Sequence, residues 1–376
     1  MRYAIAIDIG TTNIEAALVA IDENKTDCGN KAIVMSTIIQ QNVNRRFGRD
    51  VMTRITQAGR GNLHVMSTEL RSQLSDMIKE LAGEVDISKI VIACNTTMTH
   101  ILLEEDCHNL GVYPFKPVHI ERTDIMSTDI DILDGRAPVP VTILPGFSAY
   151  VGGDILSGVL SLDLFNKSGR TLLIDLGTNG EMVYHDADSD MTLVTSTAAG
   201  PAFELAGRAK ATEIIEGIAS LRRMGIVDDT GLLADEYFEY GYKYKEVNIT
   251  QSLIRDVQTA KAAIRAGIEI LLSKVSQCAY FGRGHAKEME DSNVALIDTV
   301  YISGAFGDNL NAEDAIAIGM IPTSFRGRIT PCGNTSLSGA IRYCTGMDEL
   351  YIPEFDEIYL STEQDFNDLY IEYMNL

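Results

Sequence analysis

The chain has 376 residues, with 31 Lys and Arg against 53 Asp and Glu, a formal net charge of −22 and 45% hydrophobic residues. At ~100–200 residues per domain this length accommodates two or three domains, and the apolar share supports packed cores rather than disorder. So acidic a chain repels nucleic acid and anionic membrane surfaces, although local backbone amides can still hold one small anion.

The longest uncharged run, residues 137–153, is broken by Pro138, Pro140 and Pro145 and falls short of the ~20 residues that span a bilayer. The opening residues make no signal peptide, because Asp8 interrupts the apolar run and no small-residue cleavage site follows. Six cysteines (Cys28, Cys94, Cys107, Cys278, Cys332 and Cys344) lie far apart with no CxxC pair. That spacing predicts neither an iron–sulfur cluster nor a structural zinc site, and it fits thiols in a reducing cytoplasm.

In chain order, the first informative feature is an apolar run over residues 3–9 carrying Asp8, then Gly10, Thr11, Thr12 and Asn13, then a second strand-like run to residue 19. The same arrangement returns at 171–184, with Asp175 followed by Gly177, Thr178, Asn179 and Gly180, 167 residues further on. A repeat that long is a duplicated lobe rather than a solenoid unit. Around these turns strands alternate with helices, so the fold class is α/β.

Residues 68–83 have helical spacing, with Leu70, Leu74, Met77, Ile78 and Leu81 on one face. The strand at 89–94 leads to Asn95, which serves either as a helix cap or, at a strand end, as a ligand contact. His100 on the next helix reads as a packed or surface histidine. Residues 109–146 hold five of the nine prolines and read as an irregular excursion closing a first lobe over 1–155. A second lobe covers 156–376. Its clearest helix is 252–275, where Val257, Ala260, Ile264, Ile268, Leu271 and Val275 form a stripe opposite Gln258, Lys261 and Arg265. A strand at 298–303 then enters Gly304, Ala305, Phe306 and Gly307, with a helix at 312–318. The tail from Met347 carries nine acids, no Lys or Arg and six aromatics, which predicts a packed segment with its charges outward.

A phosphate needs inward N–H groups and no Cβ in the way, which Gly provides, while Thr and Asn add donors. The two Gly-Thr turns supply this twice, in an interlobe nucleotide cleft. Asp8 and Asp175 are the expected catalytic-site carboxylates, holding Mg²⁺ through water. Glu181 is placed to polarise water or lies on an exposed strand, and Glu204 ends a Gly- and Pro-containing loop as a cleft residue. Gly304 and Gly307 permit close approach of the adenosine of ATP.

The order of these turns resembles the superfamily of acetate and sugar kinases, heat-shock chaperones and actin. Within it, residues 95–100, 110–118, 173–181, 196–204, 258–267 and 360–369 resemble the ATPase domain of the reductive activators of corrinoid proteins. The resemblance implies two actin-like (ribonuclease H-like) lobes and a ribose contact from Gln258 and Lys261. It also implies an ATPase activity that helps return cobalt(II) corrinoid to cobalt(I) in anaerobic metabolism. The expected partners are a corrinoid protein or corrinoid-dependent methyltransferase component and, because no cluster-ligand spacing is present, a separate electron donor. A homodimer is left open. The family's longer insertion after the 196–204 motif is lacking, since residues 205–213 run almost directly into a helix at 214–224. A small-molecule kinase and a non-hydrolysing nucleotide-binding module are the alternatives.

Overall fold

In the computed structural model, which describes residues 1–26, 29–133, 135–200, 208–282, 297–304, 309–346 and 350–376, the chain divides into two units, Met1–Leu164 with Asn334–Ile352, and Phe165–Gly333 with Pro353–Leu376. The cut expected after residue 155 thus falls after Leu164. Residues 334–352 go to the first unit because their helix packs on its sheet.

The first unit is built on strands β1 (Arg2–Ile9), β2 (Asn13–Thr26), β3 (Gly29–Gln41), β4 (Ile87–Cys94), β5 (Thr123–Met126) and β6 (Pro140–Ile143), in the order β3-β2-β1-β4-β6-β5. β1 is antiparallel to β2 and parallel to β4. Its helices are α1 (Val51–Gln57), α2 (Leu63–Ala82), α3 (Thr96–Leu103) and α4 (Gly153–Leu162). Alternation along β1 sorts large from small residues. Ile5, Ile7 and Ile9 meet Leu70, Leu74, Met77 and Ile78 of α2 in one core, while Ala4 and Ala6 line the opposite face.

The stretch 109–146, expected to be an irregular excursion, contributes β5 and β6 to this sheet. Val141 and Ile143 are buried, so apolar residues between the prolines override their turn signal. β3 and β5 are the edge strands, and β3 is the longer. Its residues 32–41 carry no charge, Ile33, Val34, Met35 and Ile39 are exposed, and its register against β2 shifts at Leu18/Val19, opposite Met35.

The second unit repeats the arrangement. Its strands are β7 (Arg170–Leu176), β8 (Gly180–Asp186), β9 (Met191–Thr197), the small hairpin β10 (Tyr242–Tyr244) and β11 (Val247–Ile249), then β12 (Thr299–Gly304), β13 (Ile329–Pro331) and β14 (Asp356–Ile358). The main sheet runs β13-β12-β7-β8-β9-β14. β7 is antiparallel to β8 and parallel to β12, as β1 is to β2 and β4. Helices α5 (Arg208–Arg223), α6 (Asp235–Phe238), α7 (Gln251–Gly282) and α8 (Ala312–Ala317) belong here. α5 starts six residues before the expected 214, and its added turn includes Ala209, Lys210 and Ala211, good helix formers. The stripe of Val257, Ala260, Ile264, Ile268, Leu271 and Val275 on α7 is buried in the core.

α9 (Thr335–Cys344) returns to the first unit, where Leu337, Ala340 and Tyr343 cover the alanine face of β1. α10 (Phe366–Glu372) belongs to the second. There Phe366 and Leu369 pack against the core, and β14 extends the sheet beside β9, so the tail is packed in part, while Tyr351 is exposed. Among the described residues no helix is long and apolar enough to cross a membrane.

α9 and α4 pack closely because Gly339 has no side chain: an added Cβ would overlap the Ser157 carbonyl, and the Ser157 hydroxyl donates to the Ser336 carbonyl at 2.6 Å. Gly339→Ala is therefore expected to destabilise the first unit at or beyond the upper end of the ~1–3 kcal/mol typical of overpacking. A thermal midpoint equal to that of the parent protein would show that α9 can shift without cost.

Candidate functional site

In the first unit the β1–β2 turn places Gly10, Thr11 and Thr12 between the strands, with Asn13 opening β2. A Cβ on Gly10 would lie 2.8 Å from the Asn13 carbonyl oxygen, so the turn needs glycine there. Asp8 pairs across the strands with Glu15, which brings two carboxylates to one face, a destabilising arrangement for like charges. The structure answers this with one amide. Asn334 Nδ2 donates to Asp8 Oδ2 at 2.8 Å and to Glu15 Oε2 at 2.9 Å, while the Ser336 hydroxyl donates to Asp8 Oδ1 at 2.7 Å. Asn334 is also the N-cap of α9, its Oδ1 accepting from Leu337 N at 2.9 Å. The helix end and the acidic pair are thus fixed by the same side chain.

Asn95 caps α3, accepting from Met98 N at 3.0 Å, and its Nδ2 donates to Thr11 Oγ1 at 3.3 Å. It therefore joins the cap role to the turn. Gly152 lets a neighbouring loop close on this point, since its Cβ would lie 2.6 Å from the Asn95 Cα. His100 is packed. Its Nδ1–H donates to the Thr96 carbonyl at 2.7 Å and its Nε2 accepts from Val118 N at 3.0 Å, and burial holds its pKa below the ordinary value.

The second unit repeats the pair. Asp175 lies opposite Glu181 across β7 and β8, and Glu181 is buried rather than an exposed strand residue. The Ser303 hydroxyl donates to Asp175 Oδ2 at 2.5 Å. The turn closes through Gly177 N to the Asn179 carbonyl at 2.9 Å, with Thr178 buried. Gly180, at the start of β8, packs so that a Cβ would meet Thr197 and Ile264 at 3.2 and 3.3 Å. Gly304 has φ +94°, and a Cβ there would sit 2.5 Å from the Leu176 carbonyl oxygen. Only glycine lets β12 end beside the Asp175 turn. Glu204, Ala305, Phe306 and Gly307 lie outside the described residues.

Gln258 and Lys261, expected at the ribose, are each 1% exposed. Gln258 Nε2 donates to the Thr230 and Met374 carbonyls at 3.0 and 2.7 Å, and its Oε1 accepts from Arg255 at 2.6 Å. Lys261 Nζ donates to the Asn375 carbonyl. The helix face opposite the apolar stripe is covered by residues 374–375 rather than open to a ligand, so the donors of both side chains are taken up within the fold. Burial, with Arg265 and Arg222 nearby, lowers the Lys261 pKa to about 7.

Among the described residues no group of three or more His, Cys, Asp or Glu forms a metal site. Pairs such as Asp8 with Glu15 and Asp175 with Glu181 suit Mg²⁺, which keeps several waters and takes one or two carboxylates. Cys94, Cys107 and Cys344 are buried, which pushes each thiol up to about 12 and leaves them poor ligands and nucleophiles. Four functional candidates were not read from sequence: Glu15, Asn334, Ser336 and Ser303. Glu15 had a signal, since it follows the first turn as Glu181 follows the second. The other three reach their carboxylates from 128 or more positions away.

Comparison with known proteins extends the geometry. Residues 3–167 match the family described as the RACo middle region. Residues 169–213 and 209–376 match that described as the C-terminal domain of RACo, the ASKHA domain. The chain belongs to the RACo family. A solved reductive activator for corrinoid, iron–sulfur protein is 27% identical, with a TM-score of 0.79 over 100% of this chain and 66% of its own. The ASKHA fold that the resemblance implies is thereby shown. Corrinoid activation enzyme RamQ of Eubacterium limosum is 27% identical over 422 aligned positions, covering 92% of this chain and 65% of RamQ. A [Co(II) methylated amine-specific corrinoid protein] reductase of Methanosarcina barkeri is 25% identical, covering 61% of this chain and 50% of its own. The chain thus spans half to two thirds of these relatives. The RamQ alignment is longer than the chain itself, and the ASKHA match breaks at 209–213, where a longer family segment was expected to be missing.

Lys261 gives this region a pH signature. Its pKa is about 7 in the folded state against an ordinary 10.5, so between those values the unfolded chain binds a proton that the folded chain does not. Stability contributed at high pH is therefore lost as pH falls through that interval. The stability difference between Lys261→Met and the parent should move in favour of the variant from pH ~10 to ~7 and then level off. A difference constant across this range would mean that the amine is protonated in the fold throughout.

Proposed function

We propose that this RACo-family protein is an ATP-dependent activator of a corrinoid protein, binding Mg-ATP through its two Gly-Thr turns and coupling that binding to the return of cobalt(II) corrinoid to cobalt(I). The observation that carries the reading is the duplicated turn, in which a strand-borne Asp stands opposite a Glu and beside a glycine, Gly10 or Gly304, whose Cβ would overlap backbone. Oxygen donors in pairs suit a hydrated Mg²⁺, and backbone amides of Gly-rich turns suit phosphate. The corrinoid part rests on the relatives, which are named for corrinoid activation or reduction. The electron would come from a group other than the described cysteines, which are free thiols, three of them buried. A nucleotide-binding module that does not hydrolyse ATP is the second reading, favoured by the break in the family match at 209–213.

Two measurements test this. Asp8→Ala and Asp175→Ala are each expected to weaken Mg-ATP binding by ~10-fold or more, the scale of one charge-assisted contact. Unchanged calorimetric affinity in both removes the two-turn reading. Separately, cobalt(II) corrinoid protein, a strong chemical reductant and this chain are mixed anaerobically and cobalt(I) absorbance is followed. A yield that rises with ATP supports activation. A yield indifferent to ATP, with no affinity for the corrinoid protein, ends it.

A further inference from the structure

Behind the first Gly-Thr turn lies a set of buried donors that the acidic pair does not explain. All three carbonyls of the turn are hydrogen-bonded from within the first unit. Asn42 Nδ2 donates to the Gly10 carbonyl at 2.8 Å, Arg54 Nη2 donates to the Thr11 carbonyl, and Asn42 N–H donates to the Thr12 carbonyl at 2.9 Å. Neither side chain is at the surface: Arg54 is 0% exposed and Asn42 1%. Both also meet one thioether, Arg54 Nη1 at 3.0 Å and Asn42 Nδ2 at 4.0 Å from Met98 Sδ. Arg54 Nε fixes the fork by donating to the Gly48 carbonyl at 3.1 Å. Met98 in turn donates its N–H to Asn95, whose amide reaches the Thr11 hydroxyl.

A guanidinium stays protonated and has five N–H donors in a rigid fork. Burying one costs heavily unless its hydrogen bonds are made. Core packing against the sheet would be served as well by leucine, so charge at this place calls for a role that uses charge. Two consequences follow from its position. Fixing the carbonyls at the back of a turn fixes the peptide planes and therefore the directions of the N–H groups. A cation on the Thr11 carbonyl also polarises the Thr11–Thr12 peptide, which makes the Thr12 N–H a stronger donor to an anion.

The geometry points to Arg54 and Asn42 as positioning residues that aim and polarise the amides of the first turn toward the phosphates of the nucleotide. Neither touches the ligand; each acts through the backbone of residues 10–12. The inference rests on the nucleotide reading above and adds to it the charge selectivity of this turn: what it favours is the phosphate chain rather than the nucleoside.

The test compares the full chain with Arg54→Lys, which keeps the charge but cannot reach three acceptors at once, and with Asn42→Ser, which removes the Nδ2 donor without burying a new charge. Calorimetry is run with Mg-ATP and with adenosine, alongside thermal unfolding. Each variant is expected to bind Mg-ATP ~10-fold more weakly while adenosine affinity changes by less than ~2-fold and the fold is retained. In ¹⁵N-threonine-labelled protein without ligand, the Thr12 amide proton, assigned through Thr12→Ser, should move upfield in Arg54→Lys, the direction that loss of polarisation gives, and a downfield or absent shift argues against polarisation. Unchanged Mg-ATP affinity in folded variants overturns the inference. So does an equal loss for ATP and adenosine, which assigns both residues to stability alone. Failure of the parent protein to bind Mg-ATP overturns the nucleotide reading and this inference with it, a result distinct from the other two because it is seen before any substitution.

Discussion

The contact between Gly339 and the Ser157 carbonyl governs the first unit. With no side chain at 339, α9 lies against α4 and over the alanine face of β1, and its first turn then reaches the β1–β2 hairpin. Asn334 and Ser336 grip Asp8 from that position. A bulkier interface would move the helix end away, and the cross-strand carboxylates Asp8 and Glu15 would lose the amide that lets them stand side by side. Local sequence at the turn is therefore necessary for the acidic pair but does not hold it. The hold comes from a helix more than 300 residues later in the chain.

The second unit solves the same problem with fewer parts. Asp175 and Glu181 are again opposite each other, and a hydroxyl from the neighbouring parallel strand, Ser303, takes the place of the helix-borne donors. Here the close approach is made by Gly304, whose positive φ ends β12 against the Leu176 carbonyl. Duplication has kept the order of five strands, with the sixth on opposite edges of the two sheets, and the carboxylate pair, while replacing the groups that support them. Those carboxylates are the chemical constant of the two units.

How far the chain could be read without coordinates follows from the range of each interaction. The two hairpins and the helix stripe on α7 are local patterns, and each lies where its periodicity or turn chemistry predicts. β5 and β6 were hidden by prolines that dominate a short apolar run. The return of α9 to the first unit was hidden because no sequence rule tells a helix which of two similar sheets it covers. Gln258 and Lys261 show the limit of amphipathic reading: polar residues opposite a buried stripe look solvated, but residues 374–375 lie over them and use their donors. The donors behind the first turn were equally out of reach, since an arginine reads as a surface cation until its acceptors are known.

The edge strand β3 bears on how this protein behaves in concentrated solution. Ten successive residues without charge, with Ile33, Val34, Met35 and Ile39 exposed, would ordinarily offer an open template for another strand, a common route to aggregation. The extra residue opposite Leu18 and Val19 twists that edge out of the flat geometry a recruited strand requires. In a chain with a net charge of −22, the bulge guards an exposed edge where charge repulsion has no local source. Colloidal behaviour at high ionic strength, where charge is screened, then depends on the shape of a single strand.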